Sequence, residues 1–105
     1  PVLLSCGEGR QEVVPATRVE MPPSYRFDPP AIAVVAGDTV TFVNRDHFTH
    51  SVRFKSGGLP YVELAPGDSA RVAFERPATY DYVCTYHPHD MRGRVVVSRG
   101  SGGPG

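Results

Sequence analysis

Short runs of alternating apolar and polar residues recur between residues 17 and 98. Residues 39–44 alternate clearly, with Val40 and Phe42 on one face, and residues 50–54 repeat the pattern. The other candidate strands are residues 17–21, 31–35, 70–74, 79–84 and 93–97. A period of two predicts half-buried strands, and no stretch shows the 3.6-residue period of an amphipathic helix.

Turn-forming residues separate these runs. Glycine and proline number 11 each, and turn signals stand at residues 36–38, 56–58 and 66–68. Seven or eight short strands punctuated by turns, without an internal repeat, predict an all-β fold, an antiparallel sandwich or barrel.

The length of the chain bounds its domain organisation. With 105 residues it accommodates one core and not two. We expect a leader or linker at residues 1–16, the folded domain at 17–98 and a flexible glycine-rich tail at 99–105. Leu3-Leu4-Ser5-Cys6 resembles a bacterial lipobox, so Cys6 is either a lipidated membrane tether or an incidental cysteine in an N-terminal arm.

Composition excludes several partners. The chain has 11 basic and 11 acidic residues and a pI near 7.4, so no charge excess points to nucleic acid. Hydrophobic residues make up 40% of the chain, as in a globular domain, and no apolar run is long enough to span a bilayer. A monomer is the default expectation.

Three metal donors share one short segment. Cys84, His87 and Met91 place a thiolate, an imidazole and a thioether in a loop between two predicted strands. A second imidazole, His50, begins another predicted strand far upstream. Loops hold such groups well when a rigid sheet fixes both ends.

This donor set indicates copper. Two imidazoles and a thiolate with a weak thioether are the ligands of a mononuclear blue-copper electron-transfer site. Structural zinc takes four strong Cys or His ligands, and the paired CxxC motifs of zinc fingers are absent from the sequence. The sequence therefore predicts one copper ion bound by His50, Cys84, His87 and Met91.

Two other histidines leave an alternative open. His89 is a second candidate for the imidazole of the loop, but only Asp90 would then separate it from Met91, so His87 is favoured. His47 is expected to be a solvent-facing loop residue. Cys6 is not expected to pair with Cys84, because the two cysteines have different settings.

Residues 78–97 resemble the C-terminal ligand loop of the plastocyanin/amicyanin cupredoxins, and residues 35–44 resemble the strand that leads to their first histidine ligand. The resemblance covers roughly residues 17–98. It implies a Greek-key β-sandwich, one type 1 copper and one-electron transfer between larger redox proteins, which dock transiently near His87. It also implies export to the periplasm or the outer face of a membrane, and no enzymatic activity.

Two departures from that family affect the site. Three residues separate His87 from Met91, one more than in amicyanin and one fewer than in plastocyanin. Ser51 stands where the family usually has an asparagine that ties the two ligand loops together. Because serine is shorter, we expect this link to be lost or made differently.

Three other functions compete with electron transfer. A copper chaperone or storage module would use the same soft donors, but it needs the accessible Met-rich or CxxC motifs that the sequence lacks. A catalytic copper module needs an open position or a second metal site, and few spare ligands are present. A plain adhesion sandwich leaves the grouping of Cys, His and Met unexplained.

Overall fold

The computed structural model describes residues 12–100, which form nine strands and no helix. The strands are β1 (Val14–Pro15), β2 (Arg18–Met21), β3 (Ala31–Val35), β4 (Asp38–Asn44), β5 (His50–Phe54), β6 (Val62–Leu64), β7 (Ser69–Phe74), β8 (Ala78–Val83) and β9 (Arg92–Ser98). The predicted all-β class is confirmed.

Two sheets make up the sandwich. The larger has the order β1-β3-β9-β8-β5-β6 and the smaller the order β2-β4-β7. Three pairings are parallel, namely β1–β3, β2–β4 and β3–β9, and the other four are antiparallel. The antiparallel arrangement predicted from the strand pattern therefore holds for only part of the sandwich. From β2 to β5 the chain alternates between the sheets, and strands that are neighbours in sequence therefore lie in opposite layers.

Two short strands were not predicted from the sequence. β1 has two residues and β6 has three, which is too short for a period of two to show. β1 lies within the predicted leader and pairs with β3, while β6 pairs with β5. β8 ends at Val83, so Cys84 is the first residue of the loop rather than the last of the strand.

Aromatic rings fill the space between the sheets. The ring of Tyr82 makes edge-to-face contacts with Phe27, Phe42 and Phe54 at centroid distances of 4.8, 5.4 and 5.5 Å. The Tyr82 hydroxyl is buried without a hydrogen-bond partner among the described residues, and burial raises its pKa well above the usual value. Apolar contacts therefore hold this ring in place.

The predicted ligands meet at one end of the sandwich. β5 and β8 are antiparallel, with Arg53 opposite Val83. The beginning of β5 and the end of β8 consequently lie at the same end, which places His50 beside the loop that starts at Cys84.

The ends of the chain lie outside the described residues. The lipobox-like Cys6 falls there, as does most of the predicted tail, so the tether and the domain boundaries stay predictions. Within residues 12–100 no helix has the length and hydropathy needed to cross a bilayer.

Replacing Gly93 by Ala tests the packing of this core. Gly93 lies directly opposite Tyr82, and a Cβ atom at position 93 would overlap the Tyr82 ring. Overpacking of this kind costs about 1–3 kcal/mol, so we expect Gly93→Ala to lower the free energy of unfolding in urea by that amount. Gly100→Ala is the control, because a Cβ atom there meets nothing within 4 Å. Equal stability of the two variants would contradict the packing.

Candidate metal centre

The segment from Cys84 to Met91 is a tight loop closed at its base. The amide of Cys84 donates to the carbonyl of Met91 at 3.0 Å, just beyond the last β8–β9 pair, Val83 and Arg92. Inside the loop, the amide of His87 donates to the Cys84 carbonyl at 3.1 Å and that of Met91 to the His87 carbonyl at 2.8 Å. The loop is thus held by the sheet at both ends and by its own backbone.

The fold brings two predicted ligands into contact. The Sγ atom of Cys84 lies 3.6 Å from Nδ1 of His50, although the residues are 34 positions apart. Both side chains are completely buried, and the Cys84 thiol is free. Met91 is also completely buried, in the same core cluster as Cys84.

A carboxylate orients the ring of His50. Nε2 of His50 lies 2.8 Å from Oδ2 of the buried Asp46. The hydrogen bond to His50 lowers the pKa of the Asp46 carboxyl, which therefore accepts the Nε2 proton. Because a neutral imidazole carries one proton, Nδ1 is left as a lone-pair donor facing the sulfur. A metal-binding histidine needs this arrangement.

Asn44 in turn holds the loop that carries Asp46. Its Oδ1 accepts the Asp46 amide at 2.9 Å, and its Nδ2 donates to the carbonyls of Phe48 and Leu64 at 2.8 and 2.9 Å. Neither Asn44 nor Asp46 was predicted from the sequence as part of the site. The available signal was an aspartate four residues before His50, following an asparagine at the end of an apolar strand.

Ser51 ties the two ligand loops together. Its amide donates to Sγ of Cys84 at 3.4 Å, and its hydroxyl accepts the amide of Thr85 at 2.8 Å. The same hydroxyl lies 2.8 Å from the hydroxyl of Thr85. The link between the ligand loops, which the family usually makes with an asparagine, is therefore made differently here. Ser51 lies close enough to Cys84 and Thr85 to reach the second loop directly.

The ring of His87 lies beside the buried pair rather than within it. It is partly exposed, packs on Tyr25 with centroids 4.5 Å apart, and lies 6.2 Å from the ring of His50. In the part of the chain that the structure describes, no three His, Cys, Asp or Glu side chains are grouped to hold a metal. His47 and His89 are both exposed.

Tyr25 is a neighbour of both imidazoles that the sequence did not indicate. Tyr25 belongs to the β2–β3 connection. Its ring lies edge-on to the ring of His50 and is stacked on that of Phe48, with ring centroids 5.8 Å apart in each pair. Its backbone φ of 51° is uncommon for a residue other than glycine. The contacts of Tyr25 with the rings of Phe48, His50 and His87 support this conformation. The Tyr25 ring covers one side of His87.

Exposed aromatic side chains surround the loop. We call Tyr25, Phe48, Tyr61 and Tyr86 the aromatic rim; each is between 40% and 56% exposed. Tyr61 approaches the hydroxyl of Thr85 at 3.3 Å, and Tyr86 donates to the carboxylate of Glu63, which raises the pKa of Tyr86 to about 12. The aromatic rim thus combines exposed rings with hydroxyl groups and lies next to the Glu63 carboxylate.

Comparisons with known proteins agree on one family. Residues 16–98 match the family model of copper binding proteins of the plastocyanin/azurin family. The chain is 42% identical to amicyanin-alpha of Methylorubrum extorquens over 79 residues and 39% identical to amicyanin of Paracoccus denitrificans over 77 residues. Each match covers 69% of this chain, and they cover 64% and 58% of the two amicyanins.

A solved structure shows the same fold. A purple cupredoxin from Nitrosopumilus maritimus superposes with a TM-score of 0.73 at 25% sequence identity. The alignment covers 79% of this chain and 100% of that cupredoxin.

Removing the Asp46 carboxylate should weaken metal binding. Loss of a partner that orients a histidine ligand typically costs 10–100-fold in metal affinity, and we expect about this loss of copper affinity for Asp46→Ala. Asp46→Asn keeps an acceptor oxygen and should lose less. Competition with a chelator measures the affinity, and Asp90→Ala, at an exposed carboxylate of the loop, is the control. Unchanged affinity in Asp46→Ala would refute this role.

Removing the Ser51 hydroxyl should destabilise the metal-free protein. Ser51→Ala leaves the half-buried amide of Thr85 without its acceptor, at a cost of about 1 kcal/mol, the lower end of the range for an unsatisfied donor. Urea unfolding of the metal-free protein measures the loss. Ser69→Ala, at an exposed position of β7, is the control and should change little. If Ser51→Ala matches this control, the hydroxyl link does not stabilise the loops.

Proposed function

Because the chain belongs to the plastocyanin/azurin family of copper binding proteins, we propose that it holds one copper ion and carries single electrons between larger redox proteins. The observation that carries the proposal is the buried contact between Sγ of Cys84 and Nδ1 of His50. A thiolate and an imidazole in contact, beside a buried thioether, are the donors that copper prefers.

The proposed ligands are His50, Cys84, His87 and Met91. His87 is chosen over His89 because its ring neighbours that of His50, whereas His89 is exposed. When bound, copper supplies a centre that alternates between Cu(I) and Cu(II) without making or breaking a bond of a substrate.

The chain's own residues keep the donors in place. Asp46 and Asn44 fix the orientation of His50, and the Ser51 amide donates to the Cys84 sulfur. Hydrogen bonds to the ligand sulfur and burial of the site are means by which a protein adjusts a copper reduction potential. Donors held by the sheet and by hydrogen bonds move little between oxidation states, which favours fast electron transfer.

The partner proteins are proposed to dock at the aromatic rim. His87 is the most exposed of the predicted ligands, and Tyr25 of the rim packs on its ring. Redox encounters use small, transient contacts, and aromatic residues are enriched at interface cores.

A chaperone or storage role fits the site less well. Handing copper to another protein requires ligands that the acceptor can reach. His50, Cys84 and Met91 are completely buried, so an acceptor has access to none of them without opening the fold. Export and a tether through Cys6 stay predictions.

A visible absorption spectrum after addition of Cu(II) tests the proposal. We expect an intense blue thiolate-to-copper band that disappears in Cys84→Ser, because only the thiolate provides that transition. Cys6→Ser is the matched control and should keep the band.

Reversible one-electron reduction of the same sample should follow. A well-folded protein without the band, or a band that survives in Cys84→Ser, would refute the copper site. An intact band without reversible reduction would refute electron transfer alone.

A further inference from the structure

Four cationic side chains lie together on the outer face of the larger sheet. Arg53, Val83 and Arg92 are directly opposite one another on β5, β8 and β9 and form one row across the strands. Asp81 and Arg94 form the next outward-facing pair, and Lys55 joins them through its amide, which donates to the Asp81 carbonyl at 2.9 Å. We call Arg53, Lys55, Arg92 and Arg94 the basic face.

The charge of this face is poorly compensated. Asp81 is the one carboxylate among the residues that line the groove described below, and it pairs with Arg94 at 2.8 Å. Glu63, opposite Ser51 on β6, accepts the hydroxyl of Tyr86. Arg53, Lys55 and Arg92 are exposed and make no ion pair within residues 12–100. Four cations against one carboxylate leave an excess of three positive charges on a chain of formal net charge zero. The rest of the chain therefore carries an equal negative excess.

The shape of the surface also suits a partner. Lys55, Asp81, Val83, Arg92 and Arg94 are among the residues that line an open groove of about 260 Å³. Cations that line a groove can each meet a carboxylate that projects from a convex surface. A flat face of solvated charges would not provide such a recess.

This face adjoins the proposed metal centre through the chain itself. Val83 directly precedes Cys84, and Arg92 directly follows Met91. The amide of Cys84 also bonds to the carbonyl of Met91, so both strands enter the site at the edge of the face. A partner bound here would contact residues that are next to Cys84 and Met91 in the chain.

We propose that the basic face is a docking surface for a redox protein with an acidic patch, separate from the aromatic rim. The proposal rests on the proposed electron-carrier function. The excess positive charge of the basic face attracts the acidic patch of the partner, and this raises the rate of productive encounters at low ionic strength. The partner loses or gains one electron, and the copper protein is reduced or oxidised by the same electron.

Chemical-shift mapping of the reduced copper protein tests the location. The probe is a hexaglutamate peptide at low ionic strength, and we expect the amide shifts to concentrate on residues 53–55, 81–83 and 92–94. The triple variant Arg53→Gln, Lys55→Gln, Arg92→Gln should abolish them. The control variant Arg71→Gln, Arg76→Gln, Arg99→Gln removes three exposed cations elsewhere and should retain them. Shifts centred on the aromatic rim, or none, would overturn the proposal.

Oxidation of the reduced protein by hexacyanoferrate(III) tests steering. One electron passes from the Cu(I) protein to the anion, giving the Cu(II) protein and hexacyanoferrate(II). At low ionic strength the first triple variant should react about ten-fold more slowly than the unaltered protein, the lower end of the range for steering. The control variant should react at a rate close to that of the unaltered protein.

The results separate this proposal from the electron-carrier function. Equal slowing in both variants would show an effect of net charge alone and overturn the docking surface. A kinetic effect without peptide-induced shifts would mean that the face attracts small anions only, which also overturns it. Loss of the blue band or of reversible reduction in the unaltered protein would instead refute the function on which the proposal rests.

Discussion

The antiparallel pairing of β5 with β8 is the constraint on which the rest of the site depends. It aligns the start of one strand with the end of the other and so brings His50 within 3.6 Å of the Cys84 sulfur. The two residues lie at the end of a packed aromatic core, and the contact is therefore dry. A shift of one residue in this register would turn alternate side chains to the opposite face and separate the donors.

Burying these donors creates a demand for hydrogen bonds. A polar group removed from water is costly unless it finds a partner, and His50, Asp46, Asn44 and Ser51 are all buried. Each is satisfied by another member of the network or by the backbone, from Asn44 through Asp46 to His50, and from Ser51 to both Cys84 and Thr85. A fully satisfied buried network is rigid, and rigidity is what a carrier needs when its metal changes charge.

The two surfaces that border the site differ in chemistry. The aromatic rim consists of exposed rings, one of which packs on His87, whereas the basic face is charged and adjoins Cys84 through the backbone. Apolar contact gives a short-lived complex with little orientation, while charge acts over about 10 Å before contact and selects the partner's orientation. Two such surfaces on one small sandwich would let it meet two partners of different character.

Local patterns in the sequence were enough to predict the class of fold and the nature of the donor set. Alternation with a period of two is a local property, and it located seven of the nine strands; the order and spacing of Cys84, His87 and Met91 are local as well. Other features arise only in the folded protein. They are the parallel pairings, the orienting roles of Asp46 and Asn44, the packing of Tyr25 on His87, and the joining of Arg53, Lys55, Arg92 and Arg94 into one face. Each depends on which strands and loops become neighbours, and that follows from how two sheets bury their apolar faces together rather than from any single segment of the chain.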